Sequence, residues 1–148
     1  MSPFEKDLAA FCSLLNKNKV EYLIVGGLAV NYHGFQRATG DIDIWYNPTE
    51  ENYGYLMSAI QEFGYETSDI AKQKHYKVKG AICLQLDRFT IELLSIIDGK
   101  FTFKSAYEKR AGYTLLDQQA PVLSYEYLIQ NNLHPRPKGS FSHMPALT

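Results

Sequence analysis

At 148 residues the chain is long enough for one domain with a core of its own. Hydrophobic residues make up 45%, charged residues 21%, and the net charge is −1, which excludes a disordered chain and a globally basic binder of nucleic acid or anionic membrane. There is no apolar run near the roughly 20 residues of a membrane span and no signal-peptide layout, and the 2 cysteines, Cys12 and Cys83, have no metal-like spacing; free buried thiols in a cytoplasmic protein are expected.

The first segment, "SPFEKDLAAFCSLLNKNK", reads as a helix. Ser2 can cap it, Pro3 suits its first turn and Glu5 completes a capping box, while Phe4, Leu8, Phe11 and Leu15 form one apolar face. A buried strand follows at Tyr22 to Val25 and breaks at Gly26-Gly27. "LAVNYHG" reads as a short helix ending at Gly34, "FQRATG" as a loop, and "DIDIWY" as a strand. Asn47 is the expected cap of the next helix, with Pro48 at its first position; Leu56, Ile60 and Phe63 make its face and Gly64 stops it.

"HYKVKGAICLQL" and "FTIELLSI" read as two strands of a hairpin turning at Asp87-Arg88. On the first, His75, Lys77 and Lys79 would share a face, as a solvated edge or as a contact for RNA or triphosphate. A short helix is expected near Thr102 to Lys109, a strand at "YTLLD", and a last helix, "YEYLIQNN", capped by Ser124. From Pro135 onward Pro, Gly and Ser replace apolar periodicity, so residues 1–134 read as the domain and 135–148 as a flexible tail. The expected fold is α/β (α+β): a small mixed sheet with helices packed mainly on one side.

Two aspartates one residue apart in a strand share a face, so the Cα atoms of Asp41 and Asp43 stand roughly 7 Å apart. Ile42 and Ile44 point the other way, into the core. Two carboxylates so close repel unless cations sit between them, and hard ions such as Mg²⁺ take carboxylate and phosphate oxygens. A pair of such ions about 3.5–4 Å apart can clamp an in-line phosphoryl displacement. The glycines let phosphates approach the backbone where a helix begins. Glu92, a lone charge in the apolar run "FTIELLSI", is the candidate third carboxylate; Tyr32 and His33 would either line a base pocket or pack between helix and sheet.

The order apolar strand, Gly-Gly, short helix, Asp-x-Asp strand, later acidic strand resembles the nucleotidyltransferase superfamily that includes DNA polymerase beta-like enzymes. The pieces here are "YLIVGG", "DIDIW" and "IELLS". The string "GFQRATGDIDIWYNPTEEN", with its Arg-x-Thr-x-Asp-x-Asp core, looks like a bacterial branch of stand-alone enzymes and toxin components of toxin–antitoxin systems. The resemblance covers roughly residues 5–133.

It implies that Asp41, Asp43 and Glu92 hold two Mg²⁺ ions, or Mn²⁺ in their place, with Glu92 also able to take the acceptor proton. It implies that Gly26 and Gly27 meet the β- and γ-phosphates of an NTP such as ATP. Arg37 would neutralise phosphate charge or pair with a surface Glu, and Thr39 would shape the loop. The chain departs from the pattern at Leu28, where many members carry a hydroxyl, at Glu92, where the branch more often has Asp, and after Leu133.

The expected activity is Mg²⁺-dependent transfer of a nucleoside monophosphate to a hydroxyl of a tRNA end, a protein or a small molecule, in the role of a toxin or otherwise. An antitoxin or a second copy could complete the acceptor wall, and no membrane partner is expected. The rival is a catalytically weak or inactive module of the same fold that binds or regulates. A third reading has Asp41 and Asp43 capping loops. Convergence of Asp41, Asp43 and Glu92 separates these readings.

Overall fold

The computed structural model describes residues 3–34, 41–87, 89–130 and 140–144. In chain order the elements are α1 (Pro3–Lys17), β1 (Tyr22–Val25), α2 (Gly26–Tyr32), β2 (Asp41–Tyr46), α3 (Glu50–Phe63), α4 (Ser68–Gln73), β3 (Gly80–Gln85), β4 (Thr90–Leu94), α5 (Phe103–Glu108), β5 (Ala111–Leu115), β6 (Gln118–Val122), α6 (Tyr125–Gln130) and β7 (Ser140–Met144). Among the described residues one mixed sheet has the order β5-β6-β1-β2-β4-β3-β7. β1 and β2 are antiparallel, β2 and β4 parallel, and β4 and β3 close the expected hairpin.

Alternation gives the sheet two different faces. Ile42, Ile44 and Tyr46 of β2 register with Ile91 and Leu93 of β4 and with Tyr22 and Ile24 of β1. This face carries α1 and α3: Tyr46 meets Tyr53 of α3 with centroids 6.0 Å apart, and Tyr22 donates to Asn16 Oδ1 of α1 at 3.0 Å. The two helices pack on each other, with Phe11 and Phe63 rings 4.9 Å apart. On the opposite face Trp45 contacts Phe101 and Phe103, and its Nε1–H donates to the Ser95 carbonyl at 3.0 Å. α5 thus covers the part of this face around Trp45, and the acids lie further along the same strand.

Helix ends follow local chemistry. Thr49, not Asn47, caps α3: its hydroxyl accepts from the Asn52 amide at 3.1 Å, because the helix starts at Glu50 and leaves Pro48 outside. Gly64 ends α3 in the left-handed region at φ 112. Buried Asn52 accepts from the Glu21 amide at 2.8 Å and donates to the Glu21 and Asn47 carbonyls at 3.0 and 2.9 Å. Every hydrogen-bonding need of that amide is met, and α3 is tied to the ends of β1 and β2.

Four segments differ from the sequence expectation. His75–Lys77 is a 3-10 turn and β3 begins only at Gly80, so His75 is buried and does not share a strand face with Lys77 and Lys79. α4 and β6 were not anticipated. Within the stretch read as a tail, Ser140–Met144 runs as β7, parallel to β3.

Candidate functional site

The site is built by register. β1 ends at Val25, whose partner on β2 is Asp43, and the partner of Asp43 on β4 is Glu92. Asp43 and Glu92 therefore stand side by side on the same face of neighbouring strands, each 6% exposed. Asp41, half-buried, is two residues earlier on that face, opposite Thr90. The Asp43 and Glu92 carboxylates are thus adjacent and buried on one face of the sheet.

Gly26 closes the other side. Its φ is 68, in the left-handed region, and a Cβ built there would overlap the Asp43 carboxylate, with the Asp43 Cβ and Cγ 3.0 Å away. Only glycine fits, and the backbone can approach the acid. α2 starts at this turn with Val25 as cap and no side-chain cap bond. Gly27 is half-buried in its first turn, and Leu28 is 9% exposed and belongs to the core.

Of the residues named from sequence, the fold brings Gly26, Asp43 and Glu92 together, with Asp41 two residues along β2 and Gly27 next to Gly26 in the chain. Arg37 and Thr39 lie outside the described residues. Among the described residues no three His, Cys, Asp or Glu side chains form a group that could hold a metal ion. The donors that do gather are carboxylate oxygens beside a glycine turn, which is the ligand chemistry of a hard cation shared with phosphate.

Sequence reasoning missed Cys83. It pairs with Glu92 across the β3–β4 hairpin, on the face of the acids, and is 2% exposed. Counting back from the hairpin turn would have found it. The sequence allows His33 two roles, and its geometry favours packing. A carbonyl only accepts, so its Nε2–H donates to the Leu123 carbonyl at 2.9 Å, and the ring meets Tyr32 and Tyr125 edge-on.

Residues 7–140 match the sequence profile of the aminoglycoside-2''-adenylyltransferase family. The chain belongs to this family. It is therefore a member of the nucleotidyltransferase superfamily, and an enzyme of that kind. A solved structure of similar fold is that of a candidate nucleotidyltransferase from Thermotoga maritima, with a TM-score of 0.64 and 18% identity over 88% of this chain and 83% of the other. Comparison with curated proteins gives no match. Among the described residues of this adenylyltransferase-family chain, no helix is long and apolar enough to cross a membrane.

Proposed function

We propose that the chain transfers a nucleoside monophosphate, AMP from ATP in the first instance, to a hydroxyl of an aminoglycoside-like amino sugar, releasing pyrophosphate. The observation that carries the reading is the row Val25–Asp43–Glu92 with Gly26 against the Asp43 carboxylate. It supports a donor whose phosphates lie along the glycine turn, in reach of the acids. The family's name directs the choice of a small-molecule acceptor over a tRNA end or protein. The same name gives the toxin role no support.

Asp41, Asp43 and Glu92 are the residues that would hold Mg²⁺. When bound, the ion neutralises triphosphate charge and polarises the phosphoryl oxygens. Glu92 accepts the proton of the acceptor hydroxyl as its oxygen bonds to the α-phosphorus. The bond from that phosphorus to the β-phosphate bridging oxygen breaks, and pyrophosphate leaves. Gly26 and Gly27 meet the β- and γ-phosphates through their backbone, and Arg37 adds positive charge to them. Catalysis on this reading is positioning and charge neutralisation, with no covalent enzyme intermediate.

The test is transfer of labelled AMP from ATP to aminoglycosides carrying a free 2''-hydroxyl, with and without Mg²⁺. Mg²⁺-dependent labelling that disappears in Asp43→Asn and Glu92→Gln is the expected result. Nucleotide binding without transfer to any acceptor would replace this reading with the inactive binding module.

A further inference from the structure

The glycine turn opens a helix that cannot hold its own place. α2 has 7 residues, and isolated helices shorter than about 12–15 residues are marginal in water. Its first end is the Gly26 turn against Asp43, and its other end carries Tyr32 and the capping residue His33. The His33 Nε2–H donates to the Leu123 carbonyl at 2.9 Å, and the Leu123 amide donates to the Ile24 carbonyl at 3.0 Å. Ile24, before the glycines, and His33, after them, are thus tied to one residue, which is buried just past the end of β6.

Tyr32 makes a second tie. Its hydroxyl donates to the Gly112 carbonyl of β5 at 2.6 Å, and its ring meets those of His33 and Tyr113 with centroids 4.9 and 5.3 Å apart. The registered partner of Gly112 is Pro121, which has no N–H to offer that carbonyl, so Tyr32 supplies the donor.

We propose that His33 and Tyr32 are positioning residues for the glycine turn. They fasten the far end of α2 to β5 and to the end of β6, and so hold Gly26 and Gly27 against Asp43. Gly26, at φ 68, has no side chain to oppose rotation, so a helix loose at its far end would pivot there. The ends of α2 are about 10 Å apart, and a small swing at one moves the backbone at the other. The Leu123 carbonyl is buried, so losing its donor is costly and the tie is held closed. The consequence for nucleotide binding rests on the proposed function, in which the phosphates lie along this turn.

The test measures backbone amide exchange in the nucleotide-free full chain and, separately, Mg²⁺·ATP binding by calorimetry. His33→Phe keeps a ring and loses the donor. Tyr32→Phe removes one hydroxyl from a partly exposed ring, a change the fold should survive. His33→Gln puts an N–H back near the Nε2 position. In both Phe variants the amides of residues 27–33 are expected to exchange faster while those of β2 and β4 keep their rates. The Kd for Mg²⁺·ATP is expected to rise by about 10-fold in His33→Phe, the upper end of what one hydrogen bond contributes, and His33→Gln should recover most of that loss. A merely structural role would speed exchange across the whole sheet and leave the Kd of the folded protein unchanged. That result, unchanged exchange in α2, or a His33→Gln no better than His33→Phe overturns the proposal. Exchange needs no nucleotide, so local loosening of α2 in a chain whose wild type binds no Mg²⁺·ATP would support the tie and sink the proposed function alone.

Discussion

Asp43 is the residue on which the site turns, because it touches both halves: Val25 and Gly26 on one side, Glu92 on the other. Replacing it with Asn keeps the shape of the side chain and removes its charge. AMP transfer is expected to fall by about 10²–10³-fold, the scale of losing a preorganised electrostatic group. An activity assay with labelled ATP reads the loss, and unchanged transfer would remove Asp43 from the site. Gly26→Ala tests the turn. The new Cβ meets the Asp43 carboxylate at a positive φ, so about 1–3 kcal/mol of stability should be lost. Denaturant unfolding checks that figure, and ATP binding should weaken with it.

At the scale of elements, local chemistry fixes boundaries that the sequence pattern leaves a few residues loose. Asn47-Pro48 looks like a cap followed by a first turn, but Thr49 supplies the cap bond. Thr49→Ala should therefore cost about 1 kcal/mol in urea unfolding, and Asn47→Ala should not cost it by that route. The 3-10 turn at His75–Lys77 has a measurable consequence. Burial holds the His75 pKa below its usual 6.5. Above 6.5 the ring is neutral in both folded and unfolded chains. As pH falls below 6.5 the unfolded chain takes up the proton first, so stability is lost until the folded pKa is passed. A His75→Gln variant should show a shallower decline of unfolding free energy between pH 7 and 5 than wild type. β6 escaped sequence reading for a physical reason: "QQAPV" contains Pro121, which normally argues against a strand with neighbours on both sides. It is tolerated because the β1–β6 ladder is a single register pair, Ile24 with Val122, followed by the Leu123 amide donating to the Ile24 carbonyl.

For the molecule as a whole, the sheet is a frame on which ligand binding and folding are linked. Mg²⁺ and ATP at about 100 times their dissociation constant should stabilise the folded chain by about 2.7 kcal/mol. That corresponds to a Tm rise of about 5–10 °C at this chain length. ATP without Mg²⁺, or Mg²⁺·ATP with Asp43→Asn, should give a much smaller shift in the same thermal scan. By comparison the exposed Lys17–Glu62 ion pair, 2.7 Å long with side chains 66% and 37% exposed, stabilises little despite its short distance.

Much of this was already legible along the chain. A strand followed by Gly-Gly, and Asp41 and Asp43 two residues apart in a strand, are local signals, and the period-two alternation that puts both acids on one face is a property of any strand. The hairpin between β3 and β4 was visible for the same reason, since its partners are close in sequence. What only the tertiary structure decided is pairing between distant segments. Nothing local states that β4 lies parallel to β2 with Glu92 opposite Asp43, or that β7 joins β3 and brings His143 into register with Cys83. Such pairings are selected by burial of whole sheet faces against the helices, and a shift of one residue would turn every one of these side chains to the other face.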